Sequence, residues 1–551
     1  MFGQEGNPQQ GNDEPNLALI GAMLGIVVFI VVILYIHGSF LAWYDATDGG
    51  SPVENSMSLW VSQIQGESMS DEETRATNMM YLALGGLLVI GGAGVYKGRR
   101  YYYKWKDNRI IRNRFSSEQG TAKWEGLEEL KPFLGKDGVI VGYKGQHPVR
   151  MSLKTSCEHT AIIGPTGCGK TTSIFMPNLL TLPENTSAIV VDPKKEIEEV
   201  TGPVLRSRGW ETYRLNLDQD DSVIYNPLSV YKNETEIAEI ADIILRNGYS
   251  SAGDAGDTQW INFAQPLLEA AFWMNIGEAE IESDDPTVFP SIQGAVEIVT
   301  SFTEEQRAEM AKLIGGFALE RYLAYAQSIQ SPETAASIKT VLVSSLRLFS
   351  RQDVVGATKG AEAFDPATLR KKPSVFFVQI PERKMPLMKA LTATLFWQVI
   401  EHIVDEPGLP VVFLLDEFAN IGQIPGFAQA AATVRSRKMS LNIAIQGVEQ
   451  LAREYSKEEQ QDILNNMKTK IYFPASTGES GQYVSDMVGH STVNYQNQRQ
   501  RRELMTADEV RRIPDGRLLL LAHNLNPIMV DNTPFFKNRK MARLVEKHKE
   551  E

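Results

Sequence analysis

The stretch Ala161-Ile162-Ile163-Gly164-Pro165-Thr166-Gly167-Cys168-Gly169-Lys170-Thr171-Thr172 decides the fold of this 551-residue chain. From Gly164 to Thr171 it follows the pattern G-x-x-x-x-G-K-[ST]. The apolar run Thr160 to Ile163 predicts a buried strand, and Thr172 to Leu180 predicts a helix. Strand, glycine-rich turn, lysine, hydroxyl and helix therefore follow one another in the order that defines a phosphate-binding loop.

The chemistry of this loop follows from its residue types. Glycines let the backbone N–H groups approach a phosphate closely, and the helix that follows adds its positive N-terminal dipole. Lys170 is predicted to reach the β- and γ-phosphates, and Thr171 to offer its hydroxyl to Mg²⁺. The pattern thus predicts an ATP site with Mg²⁺. Its binding residues are Gly164, Pro165, Thr166, Gly167, Cys168, Gly169, Lys170, Thr171 and Thr172.

A second stretch, Val411-Val412-Phe413-Leu414-Leu415-Asp416-Glu417, supplies the groups that hydrolysis needs. Its apolar run predicts a buried strand that delivers two carboxylates at its carboxyl end. In such sites the Asp orients Mg²⁺ and the Glu polarises the attacking water, so we assign these roles to Asp416 and Glu417. Asp192 also ends an apolar strand and is the alternative metal-site residue, but we rank it second because it comes so soon after Lys170 in the sequence.

Three further residues are candidates for the catalytic machinery. Gln446 follows the apolar run Leu441–Ile445 and is predicted to sense the γ-phosphate, although it could simply end a strand. Arg435 and Arg437 precede the same run. One of them could act as an arginine finger on the nucleotide of a neighbouring subunit, or both could be solvated cations that complement a helix dipole.

Composition limits the kind of surface and the cellular compartment that the sequence predicts. The net charge of −13 argues against a generally DNA-coating surface without excluding a local basic groove. The chain has two cysteines, of which Cys168 lies in the phosphate loop, and this low usage is typical of a reducing compartment.

The N-terminal part of the chain predicts a membrane domain. A polar tail, residues 1–16, precedes two uncharged runs at about 17–40 and 76–96, each long enough to span a bilayer. A short acidic loop joins them, and a cluster of Lys and Arg follows the second run. By the positive-inside rule this cluster is cytoplasmic, so the loop lies outside and both termini lie inside. Aromatic residues among these cations also suit contact with membrane lipids.

From about residue 115 apolar runs alternate with helical stretches, which predicts an α/β domain with a mainly parallel sheet. The strand pattern stops between about 231 and 349, where the periodicity is helical. We therefore predict a membrane domain at 17–114, a nucleotide-binding domain at 115–230 and 350–551, and an inserted all-α domain at 231–349.

These features together resemble one family, the type IV secretion coupling proteins, or TraG/TraD-like ATPases. Two N-terminal spans and the phosphate loop match the family, and Lys195 departs from it because the family usually has Gly there. The other matching segments, in chain order, are Gly120-Thr121-Ala122-Lys123-Trp124, Met176-Pro177-Asn178-Leu179-Leu180, Val191-Asp192-Pro193-Lys194, Asn226-Pro227-Leu228, Leu414-Leu415-Asp416-Glu417-Phe418, Ile445-Gln446, and Leu504-Met505-Thr506 with Glu509-Val510-Arg511.

The resemblance implies a RecA-like ATPase anchored in the inner membrane, with its ATPase domain in the cytoplasm and a probable arrangement as a homo-hexameric ring. It implies a receptor that brings substrate to the type IV secretion channel components. The substrate is either single-stranded DNA with its relaxase or an effector protein. Two alternatives remain at this point: a nucleotide-gated docking receptor without motor turnover, and a DNA translocase of the FtsK type.

Overall fold

The computed structural model describes residues 33–37, 39–42, 51–66, 68–81, 116–218, 221–249, 255–285, 287–329, 331–474, 478–495 and 498–548. The chain divides into two compact units, Met1–Asn113 and Arg114–Glu551. The polar tail and most of the two predicted spans lie outside the described residues. Among the residues that are described, no helix combines the length and the apolar character needed to cross a membrane.

Most of the described residues of the first unit are helical. Helix α1, Pro52–Ile64, lies within the predicted external loop and begins with a capping box between Ser51 and Glu54. Residues 33–37, 39–42 and 71–81 are also helical. The buried His37 imidazole connects these segments through Ser56 Oγ at 2.8 Å and Thr77 Oγ1 at 3.1 Å.

The second unit is built on strands in two sheets. The strands are β1 (Ser116–Thr121), β2 (Ile140–Lys144), β3 (His147–Arg150), β4 (Thr160–Ile163), β5 (Ser187–Val191), β6 (Glu211–Asn216), β7 (Ser374–Gln379), β8 (Val411–Leu415), β9 (Met439–Ile445), β10 (Thr469–Tyr472), β11 (His490–Tyr495), β12 (Gln498–Glu503), β13 (Arg517–Ala522) and β14 (Ile528–Asp531). Eleven of them form one sheet in the order β3-β2-β14-β13-β10-β4-β9-β8-β5-β7-β6, and β1-β11-β12 form a small second sheet.

The helices of this unit are, in chain order, α2 (Leu153–Ser156), α3 (Met176–Leu180), α4 (Glu196–Ser207), α5 (Glu234–Gly248), α6 (Ala255–Ile281), α7 (Ile292–Thr300), α8 (Glu304–Ile314), α9 (Gly316–Ser328), α10 (Pro332–Leu346), α11 (Gln352–Thr358), α12 (Thr368–Lys371), α13 (Lys389–Val404), α14 (Phe427–Val434), α15 (Val448–Glu454), α16 (Lys457–Asn466), α17 (Glu479–Val488), α18 (Ala507–Arg511) and α19 (Arg539–Lys547). From α5 to α10 the described residues contain no strand. This helical region lies between β6 and β7 in the sequence.

The central strands are parallel, and helices lie between most of them in the sequence. The seven strands from β10 to β6 in the sheet order pair in parallel, and the mixed α/β class is confirmed. Strand β8 is buried throughout, and its side chains alternate between two cores. Phe413 and Leu415 pack into one, and Val412 and Leu414 into the other.

One part of the sheet differs from the predicted parallel arrangement. Strands β13, β14, β2 and β3 extend the sheet beyond β10 with antiparallel pairs. Strands β2 and β3 come from the start of this unit, and β13 and β14 from its end. No local pattern reports a pairing between segments this far apart in sequence.

Register places the functional strand ends at one edge. Ile163 of β4 pairs with Ile445 of β9, and Leu415 of β8 pairs with both Ile443 of β9 and Val191 of β5. Gly164, Asp192, Asp416 and Gln446 each follow one of these four strands directly. Ligands of open parallel sheets bind outside this carboxyl edge.

Candidate nucleotide site

The glycine-rich loop is fixed at its beginning by the sheet. Gly164 N–H donates to the Ile445 carbonyl at 3.1 Å, and a Cβ added at Gly164 would lie 2.5 Å from Cβ of Phe473. A side chain at this position would therefore push the loop away from the sheet. Gly169 has φ +95°, a conformation that L side chains rarely adopt, just before Lys170.

Lys170 and Thr171 begin the helix that follows the loop. Lys170 is buried, and its Nζ donates to the carbonyl oxygens of Gly164 at 2.7 Å and Pro165 at 3.2 Å. The helix was predicted from Thr172, but it starts at Thr171 with a π-helical turn, Thr171–Phe175, that continues into α3. This start places the Thr171 hydroxyl at the carboxyl edge of the sheet.

The contact that unites the two predicted motifs is between Thr171 and Asp416. Thr171 Oγ1 donates to Asp416 Oδ2 at 2.8 Å, although the residues are 245 positions apart. Burial raises the pKa of the Asp416 carboxyl, while the Thr171 hydrogen bond and the Lys170 charge oppose that rise. A hydroxyl and a carboxylate are hard oxygen ligands, the kind that Mg²⁺ prefers.

Glu417 lies beside Asp416 with a left-handed backbone, φ +55°, which is uncommon for a residue other than glycine. Its Oε2 accepts a hydrogen bond from Gln446 Nε2 at 3.0 Å, so the ends of β8 and β9 are joined by side chains. Burial raises the pKa of Glu417, and Lys170 and Gln446 lower it. A half-buried carboxylate with a raised pKa is suited to accept a proton.

Asp192, the alternative metal-site residue, has a different set of partners. Its two carboxylate oxygens accept the backbone N–H groups of Ile197 at 3.2 Å and Glu198 at 2.9 Å, and so cap the start of α4. Burial raises its pKa to about 6. Because Asp416 contacts the phosphate-loop hydroxyl and Asp192 caps a helix, the geometry favours Asp416 for the metal.

A cavity of about 260 Å³ lies between these groups. Its lining combines loop residues, five carboxylates, two lysines and one aromatic ring. The lining residues are Thr166, Gly167, Gly169, Lys170, Thr171, Thr172, Asp192, Pro193, Lys194, Glu196, Ile197, Glu382, Asp416, Glu417 and Phe536.

Comparison with known proteins assigns the chain to a family. The family model for conjugative DNA transfer by the type IV secretory system matches residues 103–551, more than half of the chain. This protein belongs to the type IV secretory system conjugative DNA transfer family. The expectation of a type IV secretion coupling protein is thereby confirmed.

Individual relatives of this coupling protein are distant in sequence. VirD4 of Agrobacterium fabrum is 25% identical over 483 residues, covering 79% of this chain and 69% of that protein. VirD4 of Rhizobium radiobacter is 24% identical over 485 residues, covering 80% and 67%.

Solved structures of the conjugative coupling protein TrwB share the fold. The unbound monoclinic form of TrwBΔN70 has a TM-score of 0.59 at 18% identity, and covers 76% of this chain and 93% of that chain. TrwB in complex with ADP and Mg²⁺ has a TM-score of 0.60 at 17% identity, covering 77% and 94%. At such identities the likeness establishes the fold alone.

The two candidate arginine fingers of the coupling protein lie away from its own phosphate loop. Arg435 and Arg437 precede β9, at the amino edge of the sheet, whereas the loop lies at the carboxyl edge. Arg435 forms an ion pair with Glu158, and Arg437 pairs with Asp405 at 3.3 Å. They do not line the cavity, so any contact with nucleotide would be with that of another subunit.

Sequence reasoning missed six of the residues that line the cavity, which are Pro193, Lys194, Glu196, Ile197, Glu382 and Phe536. Lys194 comes shortly after Asp192, which ends a strand, and this position is the signal that could have found it. Glu382 comes shortly after β7 and could have been found by the same rule. Phe536 had no such signal, because it lies near the end of the chain and follows no strand of the parallel set.

Proposed function

We propose that this coupling protein hydrolyses ATP with Mg²⁺ and uses the reaction to drive a DNA substrate, with its relaxase, into the type IV secretion channel. The observation that supports this most directly is the 2.8 Å hydrogen bond between Thr171 and Asp416, because it brings the phosphate loop and the acidic strand end into one site. VirD4 and TrwB, as relatives, and the ADP and Mg²⁺ bound to TrwB agree with the proposal.

The residues present suit a Mg²⁺–nucleotide complex. Thr171 and Asp416 would hold the ion, which would neutralise phosphate charge and orient the terminal phosphate. Among the described residues no cluster of three His, Cys, Asp or Glu side chains forms a dedicated metal site. Mg²⁺ is usually held by one or two protein groups together with substrate phosphates.

Three other polar side chains would each have a different role in ATP hydrolysis. Lys170, now bonded to two loop carbonyls, would turn its ammonium group to the β- and γ-phosphates. Glu417 would take a proton from the attacking water, and Gln446 holds that carboxylate in place. Gln446 is therefore suited to link the state of the terminal phosphate to the end of β9.

The test measures ATP hydrolysis by the full-length protein in lipid vesicles, with single-stranded DNA added at low and at moderate salt. We expect DNA to raise the rate and salt to weaken this effect, because phosphate contacts release counterions. Lys170→Ala should abolish hydrolysis and transfer, whereas Lys131→Ala, which changes an exposed lysine outside the cavity, should leave both intact. Transfer that continues in Lys170→Ala would refute a motor.

Glu417→Gln then separates a motor from a nucleotide-gated docking receptor. This variant should bind ATP without hydrolysing it. If substrate is still transferred, nucleotide binding rather than turnover does the work. A basal rate indifferent to DNA would instead point to effector proteins as substrates.

We also propose that the protein is an inner-membrane, multi-pass homo-hexamer with its nucleotide site in the cytoplasm. The two uncharged runs and the basic segment after the second support the topology. The position of Arg435 and Arg437, away from their own loop, is compatible with a site completed by a neighbour. Extraction by alkali without detergent would contradict membrane insertion, and a monomeric mass in detergent with ATP would contradict the ring.

A further inference from the structure

The side chain of Phe536 is 55% exposed and lines the same cavity as Lys170 and Thr171. A lone exposed aromatic ring needs no explanation in itself. This one is the single aromatic among the described residues that line a cavity otherwise rich in charged and hydroxyl groups. Its environment therefore differs from that of an ordinary surface phenylalanine.

The turn that carries Phe536 is firmly held. The neighbouring Phe535 is partly buried against both the core that contains Val412 and Leu414 and a smaller cluster that contains Met541 of α19. Asn538 Nδ2 donates to the Gln146 carbonyl at 2.9 Å, and Gln146 Nε2 donates to the Lys537 carbonyl at 3.1 Å. The packing of Phe535 fixes the chain before the ring and these hydrogen bonds fix it after the ring, so little entropy remains to be lost when a ligand contacts Phe536.

The position of the turn fits one end of a nucleotide. Lys170, Thr171 and Asp416 define where the β- and γ-phosphates lie, since these groups meet at the carboxyl edge of the sheet. The turn Phe535–Lys537 instead packs beside Thr171–Phe175, the first turn of the helix after the loop. Asp416 and Phe536 line the same cavity, so a nucleotide with its terminal phosphates at Asp416 would extend its other end towards this turn.

We propose that Phe536 is the stacking platform for the nucleobase, so that the cavity binds a nucleoside triphosphate at both ends. The inference rests on the proposed ATP site and adds the residue that recognises the base. Aromatic stacking accepts any base, because every base has a π-face. Phe536 thus contributes affinity for the base and little discrimination between adenine and guanine.

The experiment compares two ligands by titration calorimetry on the full-length protein in lipid nanodiscs. Inorganic tripolyphosphate carries the phosphates without a base. We expect Phe536→Ala to raise the Kd for ATP about tenfold, within the range known for base–aromatic stacking, and to leave the Kd for tripolyphosphate unchanged. Phe536→Trp should retain the affinity for ATP, because the larger ring stacks equally well. Phe317→Ala, which removes a ring that is 40% exposed on α9, is the matched control and should change neither Kd.

Two results would overturn the inference while leaving the ATP site in place. An unchanged Kd for ATP in Phe536→Ala would show that the ring does not contact the base. An equal loss of affinity for ATP and tripolyphosphate would show that Phe536 supports the phosphate loop instead. Failure of the unsubstituted protein to bind either ligand would overturn both this inference and the proposed function.

Discussion

Glu417 and Gln446 form the contact that most directly tunes the proposed chemistry. Burial raises the pKa of the Glu417 carboxyl, and the hydrogen bond from Gln446 Nε2 at 3.0 Å lowers it, because the donor favours the ionised form. The carboxylate can accept a proton only when it is ionised. The hydrogen bond therefore extends the pH range in which Glu417 can serve as a base.

At the residue scale we predict the effect of Gln446→Leu on the pH profile. Loss of the donor should raise the pKa of Glu417 further, so the acid limb of kcat moves to higher pH and kcat near neutrality falls about tenfold or more. The measurement is kcat for ATP hydrolysis from pH 5 to 9. Gln450→Leu is the control, since Gln450 Oε1 accepts the Gln446 backbone N–H at 2.9 Å without donating to Glu417. Equal shifts of the acid limb in Gln446→Leu and Gln450→Leu would show that the position of the β9 end, and not the Gln446 amide donor, controls the pH profile of kcat.

At the scale of elements, one side chain connects the helical region to the loop after β8. Asn247, in the last turn of α5, donates through Nδ2 to the Gln423 carbonyl at 2.9 Å and accepts the Gln423 N–H at its Oδ1 at 2.7 Å. Tyr455, which ends α15, accepts the Ile424 N–H at 3.2 Å. The chain that leaves Glu417 and the chain that leaves Gln446 thus meet again beside α5.

We predict that Asn247→Ala separates nucleotide binding from turnover. The substitution removes three hydrogen bonds to backbone groups, two with Gln423 and one with the Ile243 carbonyl at 3.0 Å. Each contributes about 1 kcal/mol, so the loop that carries Glu417 should lose its fixed position. We expect kcat to fall about tenfold while the Kd for ATP stays the same, with Asn247→Asp intermediate because it keeps only the acceptor. Asn466→Ala is matched to it, since Asn466 holds a single carbonyl, that of Ala428, at 2.9 Å. A parallel rise in Kd for ATP would mean that Asn247 supports the whole site.

Elements differ in how far the sequence predicts them. The strand, loop and helix around Lys170 follow from contiguous residues, and the carboxylates of Asp416 and Glu417 follow from an apolar run that ends in acid. The antiparallel pairs of β14 with β2, and the approach of Phe536 to Thr171, depend on segments that are hundreds of residues apart. Periodicity and spacing report local conformation, so they cannot select such partners. For Asp192 the sequence predicts the strand that precedes it but not its role as the cap of α4, because that role depends on the conformation of the turn that follows.

At the scale of the whole molecule, segments from the beginning and the end of the nucleotide-binding unit contact each other. Asp531 at the end of β14 accepts the Gly145 N–H at 2.7 Å, and Thr533 Oγ1 donates to the Gly145 carbonyl at 3.0 Å. Helix α19 then covers an apolar cluster in which Met541 packs with Tyr143, Leu180 and Val204. The unit therefore depends on contacts between residues nearly 400 positions apart, and proteins with many such long-range contacts fold slowly.

The same contacts hold Phe536, the proposed stacking residue for the nucleobase, because it lies in the turn that joins β14 to α19. We predict that Met541→Ala, at a side chain only 4% exposed, destabilises the unit by about 2–3 kcal/mol and lowers its thermal midpoint. Met487→Ala, at a side chain 48% exposed, should change stability by no more than about 0.5 kcal/mol. Saturating ATP should recover part of the loss in Met541→Ala, since a ligand that binds only the folded state stabilises it by mass action. Equal thermal midpoints for the two variants would show that the packing of α19 does not stabilise the unit. A thermal midpoint of Met541→Ala that does not change with ATP would show that the stability of the α19 cluster is independent of nucleotide binding.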